Sequence, residues 1–185
     1  MQKLTVQREE YSLALKALNY GAGALRRLGF QFGELGEASL LESARQATGL
    51  EDWGGEHFLE PMRIMLDDVQ ASGLTHLARI STRDIGVHCL ATRLRLTDYV
   101  KRHPHVNQTP INRPVFILGF PRTGTTLLQN LLALDPERRA LPFWEILNPV
   151  PFDDDPDRDM QLRVRAANSK LRIAYWVMPE MAEVH

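Results

Sequence analysis

The sequence predicts an α/β protein in which a parallel sheet begins in the second half of the chain, after an α-helical segment. Residues 1 to about 103 repeat apolar side chains at helical spacing and show almost no strand alternation. Residues 115–118, Val-Phe-Ile-Leu, then form a short apolar run typical of a parallel strand buried on both faces. A glycine-containing turn follows, and helical spacing resumes from Thr125 to Leu134. This order of strand, turn and helix carries the fold prediction.

The helical half contains three predicted helices. One covers residues 37–48 and stops at Gly49, and another covers 56–71, with its regular part beginning at Pro61. A longer helix is predicted from about residue 75 to 101. Its expected packed side comprises Leu77, Ile80, Ile85, Cys89, Leu90, Leu94 and Leu96. No chemistry is recognisable in this half, and Cys89 is expected to be a small buried apolar residue.

A proline-rich stretch from His103 to Pro114 breaks the helical pattern and predicts a linker. We therefore expect a helical N-terminal segment over residues 1–110 and the start of a second, incomplete domain over 111–185. The His103-Pro104-His105 sequence could bind a metal. No cysteine or acidic partner is near it in sequence, so an exposed linker pair is the favoured interpretation.

The composition argues against several classes of function. Twenty-two basic and twenty-three acidic residues give a net charge of −1, so a broad nucleic-acid or membrane-binding surface is not expected. One cysteine allows no intrachain disulfide. The first residues carry charges and do not resemble a secretory signal, and no window approaches the roughly 20 apolar residues of a membrane helix. We expect a cytoplasmic protein without stable membrane insertion.

The loop from Gly119 to Thr126 reads G-F-P-R-T-G-T-T and has the glycine spacing of a phosphate-binding P-loop. Glycines let the chain turn sharply and bring backbone amides close to an anion, and the new helix adds its unpaired N-terminal amides. Thr125 stands where a P-loop normally has lysine, and Arg122 supplies a planar fork of donors instead. The alternative is an ordinary strand-to-helix turn with a capping threonine.

The segment P-R-T-G-T-T-L-L resembles the 5′-phosphosulfate loop of the sulfotransferase superfamily, and L-D-P-E-R-R-A-L-P-F-W-E is similar to a bacterial branch of it. The resemblance implies a P-loop NTPase-like fold and transfer of a sulfuryl group from 3′-phosphoadenosine 5′-phosphosulfate (PAPS), without a metal. It places the donor on residues of the loop: Pro121, Arg122, Thr123, Gly124, Thr125 and Thr126. Members of this family continue well past residue 185, so we expect these residues to be a fragment that is inactive alone.

A hydroxyl acceptor also needs a base close to the transferred sulfur. Glu145 follows the loop helix, as a catalytic glutamate does in several branches of the resembled family, and Arg122 would steady charge on the leaving oxygen. The alternative for Glu145 is an acidic residue in the first turn of a short helix. His185 is a second candidate base, because histidine titrates near neutral pH.

The last part of the chain predicts a helix over residues 157–176. The acidic run before it, 153–157, is expected to be a solvated loop that caps the helix rather than a cation site. Four arginines are expected on a solvated face, where one could reach the 3′-phosphate of the donor: Arg158, Arg163, Arg165 and Arg172.

Two other functions remain open from the sequence. One is a P-loop phosphotransferase or NTPase, against which the threonine at the lysine position argues. The other is a non-catalytic helical interaction module with a vestigial loop. For a sulfotransferase, the acceptor could be a small molecule, a lipid or a carbohydrate, and the sequence does not indicate the oligomeric state.

Overall fold

A computed structural model describes residues 13–28, 33–120 and 123–177, and all regular structure in these ranges is helical. The chain divides into two compact units, residues 1–97 and 98–185. In chain order the helices are α1 (Leu13–Arg27), α2 (Glu37–Thr48), α3 (Leu59–Ala71), α4 (His76–Arg102), a 3₁₀ helix (Pro104–Gln108), α5 (Thr125–Leu132), α6 (Phe143–Leu147) and α7 (Pro156–Val177).

The helices predicted over 37–48, 56–71 and 75–101 are confirmed, with shifts of up to three residues at their ends. Gly49 ends α2 in the left-handed conformation (φ +69°), and its N–H donates to the carbonyl oxygen of Arg45 at 2.7 Å. These helices pack around an aliphatic cluster at the centre of the first unit: Leu35, Leu40, Ala44, Leu66, Leu90, Ala91 and Leu94. Apolar periodicity was therefore sufficient to predict these three helices, but α1 was not predicted.

Arginine side chains tie the irregular segments of the first unit to α4. The guanidinium of Arg83 donates to the carbonyl oxygen of Glu34 at 2.6 Å and to Oγ of Ser43 at 2.6 Å. Nε of Arg93 donates to the carbonyl oxygen of Trp53 at 2.9 Å, and its guanidinium lies 4.4 Å from the ring centre of Phe58.

The predicted packed side of α4 is only partly correct. Leu90 and Leu94 are buried, whereas four of the predicted residues are exposed: Ile80, Ile85, Cys89 and Leu96. The expectation of a buried cysteine is therefore wrong. Next to Ile85 in α4, it is Gly86 that faces the aliphatic cluster: a Cβ atom on Gly86 would lie 3.7 Å from the Leu40 side chain. A helix with apolar residues around much of its surface gives no sequence signal for which side its neighbours cover.

The predicted parallel sheet is wrong, because no strand forms in the ranges that the structure describes. The run Val115–Leu118 lacks regular structure, and Leu118 is 92% exposed. The stretch 139–141 is also irregular. A β-strand needs a neighbour for its backbone donors and acceptors, and none of the described residues provides one.

The second unit, residues 98–185, contains the 3₁₀ helix and α5 to α7, and α6 packs against α7. The predicted capping of α7 by the acidic run is confirmed for Asp155. Its Oδ1 accepts the N–H groups of Asp157 at 3.0 Å and Arg158 at 3.3 Å, and Pro156 takes the first helical position. Both long helices, α4 and α7, carry too many charged residues to cross a lipid bilayer, and no shorter helix of the described ranges could do so.

Candidate active site

The end of the glycine loop has the backbone shape that its sequence predicts. Gly124 lies immediately before α5 with φ +85° and ψ +15°, in the left-handed region that a side chain makes costly. Its carbonyl oxygen accepts the N–H of Leu128 at 3.0 Å, which is the first hydrogen bond of the helix. The turn into α5 therefore depends on glycine at this position.

The other glycine allows the loop to close on itself. A Cβ atom on Gly119 would lie 2.8 Å from Oγ1 of Thr123 and 2.8 Å from Cγ2 of Thr125. Oγ1 of Thr123 donates to the carbonyl oxygen of Phe120 at 2.7 Å, so this hydroxyl holds the turn from within. The space that a side chain would fill is thus taken by the loop itself.

Two threonines open α5 directly after Gly124. The backbone N–H groups of Thr125 and Thr126 lie in the first helical turn, where no carbonyl of the helix can accept from them. A glycine cap has no side chain to satisfy these donors. Together with the hydroxyl groups and the positive end of the helix, they form a set of donors suited to an anion.

Three of the predicted site residues lie outside the described ranges. Pro121 and Arg122 are in the undescribed part of the loop, and His185 is in the undescribed C-terminal segment. The predicted roles of all three stay predictions.

Glu145 lies in the first turn of the five-residue helix α6, as the alternative interpretation of this residue expected. Both of its carboxylate oxygens accept from Nη2 of Arg139, each at 2.7 Å. The Glu145 side chain is 20% exposed and that of Arg139 is 69% exposed, so the pair sits at the edge of the surface. Nε2 of Gln129 in α5 donates weakly to the carbonyl oxygen of Leu141 at 3.5 Å, which links the loop helix to the segment that leads into α6.

The sequence interpretation missed a buried polar cluster between α6 and α7. Arg163 was expected on a solvated face but is 8% exposed, and its Nη2 pairs with Oδ2 of Asp159 at 2.5 Å. Asp159 and Asn148 are buried with it. The spacing of Asp159 and Arg163, four residues apart in a helix, was the available signal, although such pairs are usually exposed.

No group of three or more potential metal-binding side chains occurs in the described ranges. The His103 ring packs on Tyr99 with 4.3 Å between ring centres and lies 5.8 Å from the ring of His105.

Comparisons with known proteins agree with the resemblance of the loop. Residues 114–183 match the sulfotransferase family. The fold of the chain is also similar to the crystal structure of a sulfotransferase from Mycobacterium tuberculosis H37Rv. The sequence identity is 28% and the TM-score is 0.66. That match covers 78% of this chain and 40% of the mycobacterial chain, so this chain spans less than half of the length of its structural relative. A comparison with curated proteins finds no match.

The family match begins just before the glycine loop and includes Glu145 and α7, and the structural match extends over most of the chain. The sulfotransferase family is thus the known family that residues 114–183 resemble, and the fold of most of the chain is similar to that of a sulfotransferase.

Proposed function

We propose that the protein acts as a sulfotransferase that moves a sulfuryl group from PAPS to a hydroxyl or amine group of a small-molecule, lipid or carbohydrate acceptor. The observation that carries the proposal is the left-handed Gly124 at the start of α5, which leaves the first amides of that helix uncapped by a side chain. The match of residues 114–183 to the sulfotransferase family and the structural similarity to a sulfotransferase support the same reaction type.

The loop residues fit the 5′-phosphosulfate end of this donor. The N–H and hydroxyl groups of Thr125 and Thr126 would hold its anionic oxygens, since a helix N-terminus favours negative charge. Gly119 keeps the loop free of a Cβ at its tightest point. Arg122 would add a guanidinium fork beside these donors. When bound, PAPS supplies the sulfuryl group.

Glu145 is the proposed base. Each carboxylate oxygen has two lone pairs, and the hydrogen bonds from Arg139 use one on each oxygen, so a lone pair remains to accept a proton. Glu145 would take the acceptor's proton as the new bond to sulfur forms and the bond from sulfur to the bridging oxygen breaks. Arg122 and the loop amides would hold the negative charge that remains on that oxygen. His185 remains the second candidate for the proton.

Calorimetric titration with adenosine 3′,5′-bisphosphate tests the loop. We expect Gly124→Ala to weaken binding about tenfold, because a left-handed residue with a side chain costs about 1–2 kcal/mol and the turn would relax away from the ligand. Gly49→Ala is the matched control: this residue is also left-handed, with open space around it, but it ends α2. The Gly49→Ala variant should be less stable but should bind adenosine 3′,5′-bisphosphate with unchanged affinity.

Equal affinities for Gly124→Ala and the unsubstituted protein would contradict the assignment of the loop. Binding of magnesium ATP or GTP in preference to the bisphosphate would favour the NTPase alternative instead. The inactivity of these 185 residues alone also stays a prediction, and a sulfuryl-transfer assay with PAPS and a panel of alcohol and phenol acceptors would test it.

A further inference from the structure

The helix that carries Glu145 cannot hold its own orientation. Helix α6 has five residues, and Pro142 at its N-cap provides no side-chain hydrogen bond. Helices this short are unstable in isolation, because the cost of the first turn exceeds what a few hydrogen bonds return. The direction of the Glu145 carboxylate must therefore be set by contacts from outside α6.

Arg163 of α7 contacts this helix at both ends. Its guanidinium carbon lies 4.6 Å from the centre of the Trp144 ring, next to Glu145 in sequence. Its Nη1 donates to the carbonyl oxygen of Asn148, the residue that ends α6, at 2.9 Å. The two contacts bracket Glu145, which lies one residue after the first and three before the second.

Arg163 is itself fixed in place. It forms the 2.5 Å pair with Asp159 one turn earlier in α7, and both side chains are at least nine-tenths buried. Oδ1 of Asp159 also accepts the N–H of Phe152 at 2.6 Å, so the same carboxylate anchors the segment between α6 and α7. A buried guanidinium has few alternative positions, because moving away from Asp159 would leave two buried charges unpaired.

We propose that Arg163 is a positioning residue that holds α6 and thereby fixes the place of Glu145, whose carboxylate oxygens accept directly from Arg139. Arginine suits the task because one planar group can stack on Trp144, donate to Asn148 and pair with Asp159 at once. The inference rests on the proposed role of Glu145 as base. Arg163 itself contacts neither the loop nor the reacting groups in this account.

Hydrogen exchange of the α6 amides tests the contact directly. In Arg163→Lys the charge beside Asp159 is kept, but a lysine cannot also stack on Trp144 and reach Asn148. We expect the amides of Ile146 and Asn148, which are hydrogen-bonded in the structure, to exchange about tenfold faster. Arg165→Lys is the control, since Arg165 is an exposed arginine two residues away in the same helix, and it should change exchange less than about twofold.

A second pair of variants covers the case in which Arg163→Lys fails to fold. Trp144→Phe keeps a ring under the guanidinium and should preserve slow exchange in α6, whereas Trp144→Leu removes the ring and should speed it. Unchanged exchange in both Arg163→Lys and Trp144→Leu would overturn the inference.

Sulfuryl-transfer rates, measured on a polypeptide that contains these residues and transfers sulfuryl from PAPS, separate this inference from the function on which it rests. We expect Arg163→Lys to lower kcat about tenfold and leave the affinity for adenosine 3′,5′-bisphosphate within about twofold, because the loop is untouched. The positioning role is wrong if Glu145→Gln abolishes transfer while Arg163→Lys, with faster hydrogen exchange in α6, retains full kcat. If Glu145→Gln retains transfer, the assignment of the base is wrong, and the exchange result still decides whether Arg163 holds α6.

Discussion

The aliphatic residues of the first unit and those around the glycine loop have similar side chains but opposite surroundings. Leu94 in α4 is fully buried among leucine and alanine side chains of α2, α3 and the segment before α2. Leu118, just before the loop, is 92% exposed, and Leu127 and Leu131 of α5 are also exposed. In the described structure the first region is held by packing, whereas the loop region is held by backbone geometry.

This difference explains where each region is sensitive to change. Burial of an aliphatic side chain stabilises a fold in proportion to the area removed from water, so the first unit depends on the volume of its side chains. The loop depends on the absence of side chains at Gly119 and Gly124, because of a close contact at one and a left-handed backbone at the other. Matched substitutions in the two regions should therefore have different effects.

The largest expected difference in the free energy of unfolding is between leucine-to-alanine substitutions in the two regions. Leu94→Ala should lower the free energy of unfolding by about 3 kcal/mol, because it removes buried methyl groups and leaves a cavity. Leu118→Ala should change it by less than about 0.5 kcal/mol. Urea unfolding followed by circular dichroism measures both. A loss at Leu118 as large as that at Leu94 would show that the loop region is packed in solution.

Replacing glycine with alanine should have opposite effects on stability at Gly86, in the first unit, and at Gly119, in the loop. Gly86→Ala should raise stability by about 0.5–1 kcal/mol, since it improves helix propensity inside α4 and its Cβ meets Leu40 at an ordinary 3.7 Å. Gly119→Ala should lower it, because the new Cβ would collide with Thr123 and Thr125 at 2.8 Å. Thermal unfolding midpoints of the two variants test the pair. An unchanged midpoint in Gly119→Ala would mean that the loop is looser than described.

The smallest expected effect concerns the ion pair between α2 and α3. Hydrogen bonds from Arg63, at 2.6 and 2.8 Å, lower the pKa of Glu37 below its usual value of 4.5. A carboxylate with a lowered pKa in the folded state adds stability above its unfolded pKa, and this contribution is lost as the pH falls through the folded value.

A double-mutant cycle of Glu37→Gln and Arg63→Gln tests this pair. It should give a small favourable coupling near pH 7 that is lost as the pH falls through the lowered folded-state pKa of Glu37 and its carboxylate becomes protonated. Coupling that persists at acidic pH would show that the interaction does not depend on the charge of Glu37.

The sequence predicted what is determined locally and failed where distant segments decide. The bounds of α2 followed from apolar spacing and Gly49, and the sharp turn at the loop glycines followed from their spacing, whereas the left-handed conformation of Gly124 came from the structure. Val115–Leu118 has the composition of a β-strand. A strand forms only beside a second strand, and the composition of one segment does not predict whether such a neighbour exists. The burial of Arg163 was missed because it depends on Trp144 and Asn148, 19 and 15 residues earlier in the chain.

The central claim is that the first amides of α5 bind the anionic end of the donor. The most direct measurement follows the backbone amide resonances of the protein during titration with adenosine 3′,5′-bisphosphate. We expect the largest shifts at Gly124, Thr125 and Thr126, and no shift of the amides of α2 and α3. Absence of shifts at these three residues at saturating ligand, or larger shifts in the helices of the first unit, would contradict it.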